Sequence, residues 1–483
     1  MTKAFDGLTP SLLWGIFKDI TDTPRPSKHE EKMRDYLLRV AKARGFGTQM
    51  DSIGNLLIRV PASPGREKAG VTVLQGHLDM VPEKNNDVEF DFLTQGIRVL
   101  RDGDWLTADG TTLGADNGIG LAIALALAVD PDCSHPALEL LFTVDEETGL
   151  TGAFQMGAGL LTGKRMINID SEDEGVIFVG CAGGGDSQLY MPLSFVDAPG
   201  SLEFVGVKVR GFIGGHSGLT IGENRGNAVK AMAQLLYEAA ASEPTYLASF
   251  QGGDKHNAIP READVVVAGA PGFLGRLDAV KDRVMGWLIQ EFGKIEPGMR
   301  IELSGVRTLP VLSPDDSLRL AQLILALPHG VISMSRDLPG LVETSTNVAR
   351  VRFEGNDATV LCSTRSSVGP ALERVRTSIR SIARLAGARY TGKDAYPGWQ
   401  PNMDSNLLRL ASRTLEEFSG KVPDVTAIHA GLECGIIGEK YPGMDMISVG
   451  PTMKDVHSPD ERLSISSTQR FYEFMKKLMA ELD

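Results

Sequence analysis

The chain has 483 residues with a formal net charge of −13, a hydrophobic content of 42% and a charged content of 23%. This length exceeds what one compact core usually supports, so two domains are expected, and the composition is ordinary for a soluble globular protein. Because proteins that bind duplex nucleic acid usually present a basic face, the acidic balance argues against nucleic acid as a partner.

The N-terminal segment and the cysteines predict a cytoplasmic location. Residues 1–20 lack the basic start, long apolar stretch and small-residue cleavage site of a leader. The longest apolar run, residues 118–129, is about half of the ~20 residues that a membrane span needs. A reducing compartment fits the four cysteines, which are widely spaced and form no CxxC pair: Cys133, Cys181, Cys362 and Cys434.

Short β-type runs and a helical pattern alternate through the first part of the chain. Runs of β type occur at 55–60, 71–76, 137–144 and 166–169, and an apolar helix is predicted over 117–130. This alternation predicts an α/β catalytic domain with a mostly parallel mixed sheet flanked by helices. Ligand sites of such sheets lie beyond the carboxyl ends of the strands. Polar side chains follow the predicted strand ends or lie in the next loops: His77, Asp116, Asp145 to Glu147, and Asp170.

The middle of the chain has a different character. From about 200 to 395, longer alternating strands and amphipathic helices lie between turn-rich joints at 196–201 and 394–401. We therefore expect an inserted α+β lid domain at 197–398, between two parts of the catalytic domain at 1–196 and 399–483.

Several residues of metal-binding type have a structural alternative when each is taken alone. His77 and Asp79 are two apart on a predicted strand and face the same side, so one could bind a metal while the other steers the imidazole. The alternative is a hydrogen-bonded core histidine. Asp116 precedes an apolar helix, where it could cap the helix or bridge two cations.

A run of three acids, Asp145, Glu146 and Glu147, directly follows a buried strand. Adjacent like charges need compensation, so this is either a solvated strand exit or a place where one glutamate binds a metal and its neighbour acts as a base. Asp170 also follows a strand, and His457 lies in a predicted loop between charged residues. Together these side chains suit two divalent ions with mixed nitrogen and oxygen ligands. Zinc is the first choice, with cobalt or manganese as alternatives.

Seven motifs, in order along the chain, resemble the cytosolic aminoacyl-histidine dipeptidases (peptidase D), which belong to the dinuclear-zinc exopeptidases. They are GHLDMVPEKN, DGTTLGADNGIGLA, DEETGLTGA, NIDSEDEG, GGHSG, HAGLECG and GPTMKDVHSPDE. The resemblance implies that His77 binds one metal and His457 the other, that Asp116 bridges both, and that Glu147 and Asp170 complete the two sites.

The resemblance also implies two catalytic residues. Asp79 would orient His77. Glu146 would accept the proton of the bridging water and later donate it to the leaving amine. In this family the peptide bond after the bridging aspartate is typically cis, so we expect a cis bond between Asp116 and Asn117.

Substrate-binding residues are implied mainly in the lid. His216, in the GHSG-like motif, would donate to the oxyanion, while Asn257 and Arg365 would bind the carboxylate side of the substrate. His429 and Glu433 are expected near the pocket mouth or behind the residues that contact the substrate.

The lid could be an internal duplication, because residues 256–270 and 346–365 each read as an Asn-led turn feeding strands. The first half carries His216 and Asn257, and the second carries Arg365. We hypothesise that the two halves divide these roles inside one chain. A monomer could then form a whole site, and any homodimer would be structural.

The leading functional prediction is metal-dependent hydrolysis of dipeptides with a free N-terminus, including Xaa-His. One alternative is an N-acyl-amino-acid deacylase that uses the same metal site. A second is a non-catalytic metal-binding homologue, against which Glu146 and Asp79 argue because neither is needed simply to hold metal.

Overall fold

A computed structural model describes residues 3–393 and 395–483, and the chain divides into two compact units. The first contains the chain up to Gly180 together with Trp399–Ala427 and Leu432–Asp483. The second contains Cys181–Gly398 and Ile428–Gly431. The lid domain was predicted to begin at residue 197, which lies inside the second unit, and to end at residue 398, which lies at the edge of this unit.

The first unit is built on an eight-stranded mixed sheet. All six residues are buried in each of Thr72–His77 and Leu138–Thr143, as in strands covered on both faces. The predicted α/β class with a mixed sheet is confirmed, with parallel pairing at its centre and antiparallel pairing on either side. The spatial order is Gly47–Met50, Leu56–Val60, Leu138–Thr143, Thr72–His77, Arg165–Asn168, Asp445–Ser448, Val176–Cys181 and Asp424–Ile428.

Helices of the first unit include one that is apolar on all sides, Ala115–Val129. A buried helix of this kind lacks a polar face, which agrees with its run of alanine, leucine and isoleucine. The other helices are Ser11–Thr21, Glu31–Ala43, Thr151–Gln155, Asn406–Ser419, Glu433–Lys440 and Ile465–Glu481, with a 3₁₀ turn at Lys3–Phe5. Over the described residues, the chain has no helix with the length and apolar character needed to cross a membrane.

A small four-stranded antiparallel sheet completes the first unit. Its order is Met453–Lys454, Arg462–Ser464, Trp105–Ala108 and Val99–Asp102. The first two strands form a hairpin whose loop carries His457.

The second unit contains a nine-stranded sheet whose pairings are antiparallel. Its order is Arg300–Gly305, Glu203–Arg210, Ala263–Gly269, Tyr246–Gly252, Val342–Glu354, Asp357–Ser366, Gly183–Pro192 and Arg389–Gly392, with Gly330–Met334 beside Val342–Glu354. Apolar residues of these strands form one buried cluster with residues of four helices. The helices are Ala228–Ser242, Phe273–Phe292, Pro314–Ala326 and Gly369–Leu385.

Short elements complete the second unit. The strand Gly215–His216 pairs with Ala258–Ile259, and Phe195–Val196 pairs with Val311–Leu312. A 3₁₀ turn covers Ile221–Glu223. The internal duplication remains a prediction.

Candidate metal centre

Five side chains that were predicted to bind metal meet at one edge of the first unit's sheet. His77 is the last residue of its strand, and Glu147 and Asp170 follow two of the strands parallel to it. The carboxyl ends of parallel strands share an edge, which explains why distant sequence positions converge. Asp116 lies at the start of the apolar helix, and His457 comes from the hairpin loop.

Asp116 lies between the two histidines. Its Oδ1 is 3.1 Å from His77 Nε2, and its Oδ2 is 3.1 Å from His457 Nε2. Asp170 Oδ1 is 3.4 Å from His77 Nε2, and Glu147 Oε2 is 3.0 Å from His457 Nε2. The ligand atoms of His77, Asp116 and Asp170 lie within 4.8 Å of one another, as do those of Asp116, Glu147 and His457. The geometry therefore offers two adjacent three-residue sets that share Asp116.

Glu146 belongs to a third set, because its carboxylate, His77 and Glu147 also place ligand atoms within 4.8 Å of one another. Burial raises the pKa of Glu146 well above its usual value. Asp145, the first acid of the run, is turned into its own loop, where Thr148 and Thr151 donate to its two oxygens at 2.6 and 2.5 Å. The three adjacent acids therefore have different surroundings.

The electrostatics of the centre suit cations. Burial raises the pKa of Asp170 to about 7, and the hydrogen bonds that the His457 imidazole donates to the carboxylates of Asp116 and Glu147 raise the pKa of His457 to about 11. Burial by itself would lower the pKa of His77, but the charge of Asp170 and the hydrogen bond to Asp116 raise it well above its usual value. Buried oxygens of Glu147 and Asp170 accept no hydrogen bond from the described residues. Two imidazoles with clustered carboxylates fit zinc, cobalt or manganese.

Asp79 connects the first histidine with the acid pair. Its Oδ1 lies 3.3 Å from His77 Nδ1, on the side of the ring away from the other ligands. Its two oxygens also accept the backbone N–H groups of Glu146 and Glu147 at 3.0 and 3.2 Å. Burial opposes ionisation, but the hydrogen bond from His77 prevails and lowers the pKa of Asp79 to about 2. The contacts to the two glutamates were not predicted from the sequence. The expected cis bond between Asp116 and Asn117 is present.

The predicted lid residues lie together in the second unit. The strand that carries His216 pairs with the strand Ala258–Ile259, which directly follows Asn257. The carbonyl of Asn257 accepts the N–H of Ser217 at 2.8 Å. Burial lowers the pKa of His216, and the charge of Arg365 lowers it further. Burial and the same arginine lower the pKa of His429 to about 4. His216, His429 and Arg365 of one chain are therefore close enough to interact electrostatically.

Arg365 is buried and has an unusual set of partners. Its Nη1 donates to the hydroxyl of Tyr396 at 3.1 Å, while its Nε has no hydrogen-bond partner among the described residues. The imidazole of His429 contacts the hydroxyl of Ser345 at 2.8 Å. Tyr396 and Ser345 were missed by sequence reasoning. A tyrosine in the turn-rich joint at 394–401 was the only available signal for Tyr396.

Glu433 is fully buried, and of the two positions expected for it this burial favours the one behind the residues that contact the substrate. It accepts hydrogen bonds at 2.6 Å from Gln75 and from Thr143, which belong to neighbouring strands of the sheet. A buried carboxylate needs such donors, and they place it in the interior of the first unit. Burial raises its pKa to about 7. This position does not favour direct contact with a substrate.

Comparisons with known proteins cover almost the whole chain. The protein-family model described as "Peptidase family M20/M25/M40" matches residues 73–481. The "Cytosol non-specific dipeptidase" of Escherichia coli K12 is 40% identical over 479 residues, covering 98% of each chain. The solved structure of an aminoacylhistidine dipeptidase from Vibrio alginolyticus is 41% identical, with a TM-score of 0.94 over 99% of this chain and 98% of that chain. Aminopeptidase PepT from Bacillus cereus, 15% identical with a TM-score of 0.57 over 98% and 99% of the chains, has a similar fold.

Proposed function

We propose, from the premise that this chain belongs to peptidase family M20/M25/M40, that it is a metal-dependent dipeptidase acting on dipeptides with a free N-terminus, Xaa-His among them. The family resemblance and the enzyme class predicted from the sequence, a hydrolase of peptide bonds, are confirmed. Both close relatives carry the name dipeptidase, which supports this substrate class. The Escherichia coli relative is named as cytosolic, and we propose a cytoplasmic location here as well.

The observation that carries the proposal is the position of Asp116 between His77 and His457, with each of its oxygens 3.1 Å from one imidazole. In the proposed assignment, His77 and Asp170 would hold one divalent ion, His457 and Glu147 would hold the other, and Asp116 would be shared by both. Zinc fits this donor set best, with cobalt or manganese as alternatives. When bound, the two ions would polarise the scissile carbonyl and lower the pKa of the attacking water.

Glu146 is the proposed general base. It lies beside the ligand set, and burial moves its pKa upward, toward the range in which a carboxylate accepts a proton readily. It would take the proton from the attacking water and return it to the amine as the peptide bond breaks. Asp79 would fix the ring of His77 through Nδ1 and hold the backbone of Glu146 in place.

Arg365 is the proposed partner of the substrate carboxylate. A buried guanidinium is costly unless an anion or several acceptors satisfy it, and the described protein partner of Nη1 is a neutral hydroxyl, that of Tyr396. A dipeptide carboxylate matches the fork of an arginine. Asn257 would assist in binding the same end of the substrate, and His216 would donate to the developing oxyanion.

His429 would line the same cluster as a neutral imidazole beside Arg365. His216, Asn257 and Arg365 lie in one unit of one chain, so a single lid domain contains all three residues to which these roles are assigned. A monomer and a homodimer are both compatible with the proposal.

The two alternatives make different predictions. A deacylase on the same centre would accept substrates with a blocked amine, whereas a dipeptidase requires the free amine. Assays of a dipeptide panel with free and acetylated N-termini separate these two. A non-catalytic metal-binding protein would hydrolyse neither.

The decisive experiment replaces Glu146 by glutamine. We expect hydrolysis of dipeptides to fall by about 10²- to 10⁴-fold, because the base is lost, while the bound metal is retained. The exposed Glu89→Gln variant is the control and should retain full activity. Chelation should abolish activity in the parent chain, and re-addition of single metals should show which ions restore it. Unchanged hydrolysis in the Glu146 variant would remove this residue from the proposed role.

A further inference from the structure

A buried carboxylate outside the predicted ligand set joins the two segments that carry Asp116 and His457. Glu461 is 2% exposed and lies four residues after His457 in the same hairpin. Its Oε2 accepts the N–H groups of Leu113 and Gly114 at 2.8 and 2.9 Å, and its Oε1 accepts those of Ala115 and Asp116 at 2.8 and 3.2 Å. One side chain thereby binds four consecutive amides that lead into the shared aspartate.

Arg25 binds the same turn through a backbone carbonyl group. Its buried guanidinium donates to the carbonyl groups of Leu78, Asp79 and Gly114. The peptide groups of Gly114 are therefore held by a carboxylate at the N–H and by a guanidinium at the carbonyl. Through Leu78 and Asp79, Arg25 also connects this turn to the strand end that carries His77.

These contacts compensate for a cost that would otherwise be large. A buried carboxylate without partners is strongly destabilising, and four amide donors with good distances offset that cost. The described structure shows Glu461 bound to backbone groups and not to a side-chain cation. Such an arrangement fixes backbone position, which a surface ion pair would not do.

The loop of His457 has a particular need for an anchor. The His457 side chain is 48% exposed, and both Asp455 and His457 have positive φ, at 55° and 61°. Residues with a Cβ uncommonly adopt a positive φ without support from their surroundings. Glu461 supplies a buried attachment for this otherwise open loop. The backbone N–H of Glu461 also donates to the carbonyl of Ser458 at 3.0 Å.

We propose that Glu461 is a positioning residue that sets the separation of His457 from Asp116, and thereby the affinity of the centre for the cation on the His457 side. Arg25 has the corresponding role between Asp116 and the His77 strand. This inference rests on the proposed function only in assuming that the centre binds two divalent ions. Residues that orient metal ligands commonly change metal affinity 10- to 100-fold when substituted.

The test is Glu461→Gln, which keeps the side-chain volume but removes the charge and turns an amide NH₂ toward backbone donors. Zinc binding to the metal-free protein is measured by calorimetric titration with a competing chelator. We expect one zinc ion to bind with the affinity of the parent chain and the second to bind about 10- to 100-fold more weakly.

A matched control is available in the same unit. Glu139 is also 2% exposed and accepts two backbone amides, those of Thr162 and Gly163, at 2.9 and 3.0 Å. Neither partner is next to a proposed ligand. Glu139→Gln should therefore lower stability while both zinc ions keep their parent affinities.

Three results would overturn the inference. One is a Glu461 variant that loses stability but binds both ions as the parent does. Another is a variant that weakens both ions to the same extent. The third is an equal loss of zinc affinity in the Glu139 control. If Glu461→Gln does not fold, Glu461→Asp, which retains the charge but has a shorter reach, is titrated with the same criteria. A parent chain that binds fewer than two ions would contradict the proposed metal centre itself.

Discussion

At the scale of single residues, Arg365 is a buried cation held by a tyrosine hydroxyl. Its proposed role gives a prediction for Arg365→Lys. A lysine retains the charge but cannot form the bidentate contact with a carboxylate, so we expect KM for dipeptides to rise about 10- to 100-fold with a smaller change in kcat. Steady-state kinetics on one dipeptide and on its C-terminal amide provide the measurement, because the amide lacks the carboxylate.

The amide substrate should be hydrolysed poorly by both proteins and should show little difference between them. Arg376 offers a matched control, since it is also buried in the second unit but pairs with Glu373. Arg376→Lys should leave KM for the dipeptide unchanged. If Arg365→Lys raises KM for the amide as much as for the dipeptide, the arginine does not recognise the carboxylate.

At the scale of elements, the turn before the apolar helix is shaped by a glycine. Gly114 has φ of +67°, and a Cβ there would lie 2.7 Å from Met80 Sδ and 2.9 Å from Arg25 Nη2. Gly114→Ala should therefore cost more than the ~1 kcal/mol of an unfavourable φ alone, and should weaken binding of the metals through Asp116. Urea unfolding and zinc titration measure the two effects.

Gly103→Ala separates backbone strain from crowding. Gly103 has φ of +57°, but nothing lies within 4 Å of its added Cβ. We expect about 1 kcal/mol of destabilisation there and no change in zinc affinity. Equal effects of the two substitutions would show that the contacts to Met80 and Arg25 do not constrain the turn.

The same turn shows what the sequence could and could not predict. The β-type runs at 71–76 and 137–144 predicted strands that the structure places at Thr72–His77 and Leu138–Thr143, because strands buried on both faces are rich in apolar residues. Ligand-type residues at strand ends were recognisable by chemistry and motif. No role was predicted for Arg25 or for Glu461, although Glu461 ends the motif GPTMKDVHSPDE, because their partners are backbone groups, and backbone groups leave no signature in the sequence.

The sequence likewise could not predict which side chains are buried against residues that are distant along the chain. The motif shared by Glu433 and His429 left two positions open, near the pocket mouth or behind the residues that contact the substrate. The helix that begins at Glu433 directs this side chain into the interior against Gln75 and Thr143, which the sequence alone did not show. Ser27 and Glu30 have the spacing of a capping box at the start of a helix, but the structure does not form one. The helix begins at Glu31, and the Glu30 carboxylate instead accepts the N–H groups of Lys28 and Asp145. Tertiary contacts decided both cases.

At the scale of the whole molecule, each unit can be followed by itself, and the second contains a histidine that is suited to report its acid stability. His329 Nδ1 faces the N–H of Val348 and the side-chain nitrogen of Asn227, each at 3.4 Å. Both neighbours can donate, so the ring is held as an acceptor at this atom and protonation there would remove the contacts. Burial lowers the pKa of His329 to about 4, and the charge of Lys230 adds to this effect.

The folded chain therefore resists protonation of His329, whereas the unfolded chain takes up the proton near the ordinary pKa of 6.5. Stability from this group is complete above about pH 6.5 and is lost progressively as the pH falls toward 4. Between pH 8 and pH 5 we expect the free energy of unfolding of the second unit to fall by about 1 to 2 kcal/mol through this residue, allowing for its partial exposure.

His329→Gln, which keeps an acceptor for Val348, should lower the stability at pH 8 modestly but reduce its dependence on pH. Urea unfolding followed by hydrogen exchange in peptides of the strand Val342–Glu354 measures the second unit alone. An equal loss between pH 8 and pH 5 in the parent and the variant would show that other groups govern the acid sensitivity of this unit.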